Sequence, residues 1–176
     1  MNIEPSIFKA YDMRGIYPEQ LNESVAYAVG RGFATLMMKE NQGRELTIGV
    51  SADMRDSSPS LKAEVIRGLT DTGIHVIDLG LLSSPTYYFG VSYYNLDGGI
   101  QVTASHNPKE YNGLKMVRAR AVAMGGHTGI YEIHEIIKTD AFLPVAENKG
   151  HVDVKEGITE LAYQEFLKFS PAHEIK

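Results

Sequence analysis

The chain has 176 residues, 43% of them hydrophobic, enough for one domain with a real core and no covalent staples. It contains no cysteine, which excludes a disulfide scaffold, a thiolate zinc site and a cysteine nucleophile. Seventeen Lys and Arg against twenty-two Asp and Glu give a formal net charge of -5. That balance argues against nucleic acid or an anionic membrane as partner, while leaving room for a local basic pocket. No apolar run approaches the roughly 20 residues that span a bilayer. The N-terminal residues lack the basic and then apolar pattern of a signal peptide, so a cytoplasmic location is expected.

In chain order, Asn22 is a good N-cap for a first helix. Val25, Ala28, Val29, Gly32, Phe33, Leu36 and Met37 recur on one of its faces, and Gly43 offers a stop. Leu46 to Ser51 reads as a strand. Ser58-Pro59 reads as a cap with proline in the first helical turn, and Leu61, Val65 and Leu69 share the face of a helix that Gly73 closes. Ile74 to Leu79 is a second strand, and Ser84-Pro85 repeats the cap-and-proline start of a helix running through Tyr94. Gly99 to Thr103 is a third strand. A polar stretch from Ser105 to Gly113 follows, then Leu114 to Val117. Ile130, Ile133, Ile136 and Ile137 predict a further helix, His151 to Lys155 a strand, and Ile158, Leu161, Ala162, Glu165 and Phe166 a last helix ending near Ser170-Pro171. Alternating helices and strands over the first hundred residues predict an α/β fold, a layered mixed sheet with crossover helices. The polar segment Asp140 to Gly150 is a candidate linker.

Several familiar signals fail. His134-Glu135-Ile136-Ile137-Lys138 begins like a zinc-protease helix but ends in lysine. Gly30-Arg31-Gly32 sits inside a helix pattern, so it is not a dinucleotide fingerprint. No phosphate loop with a Gly-Lys-Ser/Thr ending, no Gly-x-Ser-x-Gly elbow and no Asp-x-Asp-x-Asp run is present. His75, His127, His151 and His173 show no ligand spacing.

What remains is Thr103-Ala104-Ser105-His106-Asn107-Pro108, directly after a strand, where α/β sheets put their ligand sites. Pro108 and an expected Asn112-Gly113 turn hold the loop, which can aim backbone N–H groups and a serine hydroxyl at an anion. A polar surface turn is an equal reading of the spacing alone. Ser105 and His106 are neighbours, and neighbouring side chains in extended backbone point apart. His106 is therefore a poor base for Ser105, which weighs against a serine hydrolase.

The same residues carry a resemblance. Thr103 to Pro108, with Asn112-Gly113-Leu114-Lys115 after them, resembles the serine loop of the α-D-phosphohexomutase family. Phe8-Lys9-Ala10-Tyr11-Asp12-Met13-Arg14-Gly15 is similar to that family's N-terminal segment, in the wording of the bacterial phosphomannomutase/phosphoglucomutase branch. Asp53-Met54-Arg55-Asp56-Ser57-Ser58 resembles its helix start. Two departures are Ala52, where members often carry arginine, and Ser83-Ser84-Pro85, where a proline-threonine-proline run is usual.

The resemblance implies that residues 1–140 are the domain bearing the active serine, and that 141–176 are a linker and the start of a following domain. It implies a phosphoserine at Ser105 that exchanges phosphate with a hexose phosphate. Lys115 would lie near the transferring group, Tyr11 and Arg14 would contact the site, and His106 and Asn107 would shape the loop or bind the phosphate. Magnesium would touch Ser105 through its phosphate, its carboxylate ligands belonging to C-terminal domains that are expected as the partners of this piece. Alone, the chain is expected to be incomplete as an enzyme. Other readings stay open. Arg14 pairs with Asp12 or caps a helix instead, Tyr11 is core packing, and Asp53 and Arg55 are a helix-start carboxylate and its salt-bridge partner. For the whole chain, the alternatives are a non-catalytic anion-binding module of the same fold, or a serine hydrolase.

Overall fold

The first helix, α1 (Glu23–Glu40), starts where the capping pattern puts it: the Asn22 side chain accepts a hydrogen bond from the Val25 N–H at 3.1 Å. In the computed structural model, which describes residues 3–169, five helices and six strands follow the alternating order. The strands are β1 (Met13–Ile16), β2 (Thr47–Ala52), β3 (His75–Leu81), β4 (Gly98–Val102), β5 (Tyr111–Arg118) and β6 (Val152–Val154). The other helices are α2 (Ser58–Asp71), α3 (Ser84–Tyr93), α4 (Ile130–Lys138) and α5 (Ile158–Leu167). β1 follows a polar segment and has only four residues, too few for its alternation to register in the sequence. The expected end of the last helix near Ser170-Pro171, and His173, lie outside the described residues.

Two caps shift by one residue. At α2 the capping position is Ser57, whose side chain makes no capping bond, while the Ser58 hydroxyl donates to Asp53 Oδ1 at 2.6 Å. At α3 Ser83, not Ser84, caps by accepting from Thr86 N, and Ser84 Oγ donates to the buried Gln101 Oε1 at 2.6 Å. A run of serines before proline makes the register ambiguous in sequence; tertiary partners choose it.

The strands form one mixed sheet in the order β1-β5-β4-β2-β3-β6. β4, β2, β3 and β6 are parallel, and β5 and β1 continue the sheet antiparallel beyond β4. α2 carries the chain from β2 to β3, and α3 carries it back past β2 to β4. Right-handed crossovers in opposite directions put α2 and α3 on opposite faces. The core divides accordingly. Val29, Phe33, Leu61, Leu69, Ile133 and their neighbours fill the face under α1, α2 and α4, and Leu79, Tyr87, Val91 and Ile158 fill the face under α3 and α5. β2 and β4, covered on both sides, read as continuous buried runs rather than alternating ones.

The Gly30-Arg31-Gly32 run now has a structural use. A Cβ on Gly30 would lie 2.6 Å from Val65 O, and one on Gly68 2.5 Å from Tyr27 O, so α1 and α2 cross with their backbones nearly touching. The segment after Asp140 does not leave this body within the described residues. β6 pairs with the outer edge of β3, Val76 opposite Val152, and α5 brings Ile158 into the second core cluster. An open parallel edge needs a cover, and β6 supplies it.

Candidate active site at the serine loop

Three loops leave the carboxyl ends of the parallel strands β2, β3 and β4. Asp53 to Ser57 follows β2, Leu82-Ser83 follows β3, and Thr103 to Glu110 follows β4. Connections from β2 and β3 run to opposite faces, so the switch point of the sheet lies between β2 and β4. A crevice outside the strand ends at such a point is where α/β sheets bind ligands, and there the Asp53 and Ser105 loops meet.

Ser105 sits at the tip of its loop, exposed and in left-handed backbone with φ +57°. This is a strained position for a residue with a Cβ. Its N–H donates to Thr103 Oγ1 at 2.9 Å, and both the backbone and side-chain nitrogens of Asn107 donate to Ala104 O, at 3.1 and 2.8 Å. The left-handed turn corrects the expectation that Ser105 and His106 point apart. That argument holds for extended backbone; here Ser105 Oγ and His106 Nδ1 are 3.0 Å apart.

The expected Asn112-Gly113 turn is also corrected. Both residues lie inside β5, paired with β1, Gly113 opposite Arg14. Asn112 is fully buried and its amide donates to Ser57 Oγ and Ser58 Oγ at 2.8 and 3.0 Å, tying the strand to the start of α2. Gly113 is required by close approach: a Cβ there would lie 2.4 Å from Met13 O and 2.8 Å from Thr103 O. The glycine that reads as a turn signal marks tight strand contact instead.

Arg55 is the residue that sequence reasoning undervalued. Its salt bridge to Asp53 exists, Nε to Oδ2 at 3.2 Å. The remaining four N–H groups go to backbone carbonyls of the serine segment. Nη1 donates to Pro108 O and Tyr111 O at 2.8 and 3.0 Å, and Nη2 to Ser105 O and Asn107 O at 3.1 and 2.8 Å. No spacing rule links residues 55 and 105, so nothing in the sequence signals the contact.

On β1 and the segment before it, Asp12 is the organising group. Its side chain is 3% exposed, and Oδ2 accepts from Arg14 Nε at 2.9 Å, Arg14 Nη2 at 2.7 Å and Lys115 Nζ at 3.2 Å. Arg14 thus makes the ion pair with Asp12, and still lines a cavity of about 550 Å³ with Lys9, Tyr11 and Asn107. Tyr11 is 85% exposed, which overturns the core-packing alternative. Ser105 and His106 line a second cavity of about 500 Å³, with Arg55, Ser83 and Ser84 opposite. The six candidate residues therefore surround one loop but face two hollows. Tyr11, Arg14 and Asn107 line the first, Ser105 and His106 the second, and Lys115, bonded to Asp12, lines neither.

A magnesium site does not fit these residues by themselves. Mg²⁺ takes near-octahedral oxygen ligands, chiefly carboxylates, phosphate and water. No group of three His, Asp or Glu among the described residues is arranged to hold a metal. Asp53, the one carboxylate lining the Ser105 hollow, already accepts from Arg55 N, Arg55 Nε and Ser58 Oγ. Among the described residues, no helix is long and apolar enough to cross a membrane.

The fold and the loop define an α/β/α domain that exposes a serine at the switch point of its sheet. Residues 5–144 match the family described as phosphoglucomutase/phosphomannomutase, alpha/beta/alpha domain I, and the chain belongs to that family. It is 41% identical over 148 residues to a phosphomannomutase of Vibrio cholerae, covering 84% of this chain and 32% of that protein. It is 36% identical to a phosphoglucomutase of Neisseria meningitidis, covering 88% of this chain and 32% of that one. The crystal structure of a phosphoglucomutase/phosphomannomutase family protein from Burkholderia thailandensis superposes with a TM-score of 0.84 at 31% identity, covering 95% of this chain and 36% of that chain. The chain thus spans about a third of the length of these relatives.

Proposed function

We propose that this chain is the serine-bearing domain of a phosphohexomutase that moves phosphate between C1 and C6 of a hexose phosphate. The observation that carries the reading is Ser105, exposed at the tip of a hydrogen-bonded loop over the β2–β4 crevice. In the forward step the P–O bond to Ser105 Oγ breaks as a new one forms to a free sugar hydroxyl, and the proton that hydroxyl gives up is taken up, directly or through a neighbouring group, by Ser105 Oγ. The second phosphate of the resulting bisphosphate then returns to Ser105, releasing the isomer. Such transfer depends on positioning and on charge stabilisation more than on covalent chemistry. A phosphoserine carries about −1.5 to −2 charge, and it calls for donors close by. His106, with Nδ1 3.0 Å from Ser105 Oγ, is assigned as one such donor, and Asn107, bonded to Ala104 O, as a residue that shapes the loop. Arg14 and Tyr11 are assigned to the sugar phosphate in the neighbouring hollow. Lys115, restrained by Asp12, is assigned as the cation released toward the transferring group. Magnesium, the hexose-selecting groups and further domains are assigned to regions like those that the longer relatives have beyond the matched part.

The 3.0 Å approach of Ser105 Oγ to His106 Nδ1 favours one second reading, a serine hydrolase. Against it, no carboxylate among the described residues accepts from His106 to orient the imidazole. Intact-mass analysis of the purified chain, before and after incubation with glucose 1,6-bisphosphate and Mg²⁺, separates the readings. One added phosphate that maps to Ser105 and vanishes in Ser105→Ala is the expected result. Covalent labelling of Ser105 by an organophosphonate would establish the hydrolase, and neither modification would favour a binding module. No turnover of mannose 1-phosphate or glucose 1-phosphate by the 176-residue chain alone is expected.

A further inference from the structure

We infer that Arg55 is the positioning residue of the serine loop: its guanidinium, rather than the loop's own sequence, holds the left-handed backbone in which Ser105 presents its hydroxyl. A guanidinium has five N–H groups in a rigid planar fork. All five are used here, one on Asp53 and four on the carbonyls of Ser105, Asn107, Pro108 and Tyr111. Those four carbonyls span the loop from its tip to the first residue of β5. Converging carbonyl dipoles repel, and a cation at their focus removes the repulsion. The loop's own bonds are few and local: Ser105 N to Thr103 Oγ1, and Asn107 back to Ala104 O. With Tyr111 N to Pro108 O they close local turns, and Thr103 N to Gly113 O at 2.8 Å joins the two limbs at their base; beyond that base bond, Arg55 ties Ser105 and Asn107 to Pro108 and Tyr111.

The fork is itself fixed. Asp53 Oδ2 accepts from Nε and Asp53 Oδ1 from the Arg55 N–H, while Ser58 Oγ, in contact with buried Asn112 of β5, donates to the same carboxylate. The guanidinium therefore hangs from the end of β2, a strand with core on both faces, and from the start of α2, which packs one face on the core. With every donor committed, Arg55 is not free to bind a substrate phosphate, and its effect on chemistry passes through Ser105. Lysine cannot replace it: a single ammonium has three donors in a cone and cannot meet four carbonyls in a plane.

The test is solution NMR on the full chain. In the wild type, the three-bond HN–Hα coupling and carbon shifts of Ser105 should report positive φ. The Arg55 Nη–H protons should appear as separate, slowly rotating resonances; a rotationally averaged guanidinium would overturn the proposal without any variant. Arg55→Lys should lose the positive-φ signature at Ser105, with shift changes concentrated between residues 103 and 111. Thr103→Val, which removes only the local bond, should retain the signature. If Arg55→Lys folds and keeps the signature, or if Thr103→Val erases it, Arg55 is not the positioning residue. A functional arm rests on the phosphoserine reading. Phosphate uptake at Ser105 from glucose 1,6-bisphosphate should slow roughly ten- to a hundredfold in Arg55→Lys, the scale of a misplaced reacting atom. Wild-type uptake of none would sink the phosphoserine reading while the NMR outcome still decides Arg55.

Discussion

Replacing Asp12 by asparagine removes the anion that holds two cations beside the serine loop. The carboxylate is 3% exposed and one oxygen accepts all three charged bonds, at 2.7, 2.9 and 3.2 Å. Removing one partner from a buried ionic cluster costs about 3–5 kcal/mol. Here Arg14 is 35% exposed and Lys115 20%, so water recovers part of that. A loss of about 2–4 kcal/mol is expected, equivalent to a melting temperature lowered by roughly 4–16 °C for a chain of this size. Circular dichroism melts and urea titration measure it. The geometry also ranks the partners: Arg14 donates twice at short distance and Lys115 once at 3.2 Å. Double-mutant cycles with Arg14→Met and Lys115→Met should give Asp12–Arg14 the larger coupling. An Asp12→Asn protein melting within about 1 °C of wild type, or a larger coupling to Lys115, would refute the view that Asp12 is the structural anchor of this cluster.

Gly113→Ala forces a methyl group against Met13 O and Thr103 O and should destabilise by about 1–3 kcal/mol, with faster amide exchange across β1 and β5; an unchanged melt would contradict the contact. Asp71, bonded by Lys149 Nζ at 2.6 Å and by the Tyr27 hydroxyl at 2.9 Å, has its carboxyl held below the usual range, first by the Lys149 bond. A depressed carboxyl stabilises the fold above its unfolded pKa of about 3.9, and that stabilisation disappears as pH falls through the lower folded value. Asp71→Asn should therefore cost about 1–2 kcal/mol near pH 7 and progressively less below about pH 4, followed by urea melts across that range. Gln101→Leu strips Ser84 Oγ and Leu82 O of their buried partner at the start of α3. A loss of about 1–3 kcal/mol is expected in the same melts.

Much was legible before any coordinate. Asn22 caps α1 because a short polar side chain before an amphipathic run has one good use, and the glycine after α2 stops it for the same kind of local reason. Alternation of helix and strand implied a layered mixed sheet with crossover helices, the frame in which Ser105 follows β4. The serine loop and the N-terminal segment were recognisable as motifs because each is a contiguous string.

What the chain alone determined, then, is what neighbours in sequence carry: the elements apart from the short β1, their order, and the identity of the loop. What only the tertiary structure decided is everything carried by convergence. The left-handed turn at Ser105 brings His106 to its hydroxyl, against the rule for extended backbone. Asn112-Gly113 is strand rather than turn because Met13 and Thr103 pack against it from either side. Four of the five guanidinium bonds of Arg55 reach residues about fifty positions away. Such contacts leave no periodicity, because the sheet and not the chain sets their spacing, and a guanidinium 50 residues upstream looks like any other charge until the strands are laid side by side.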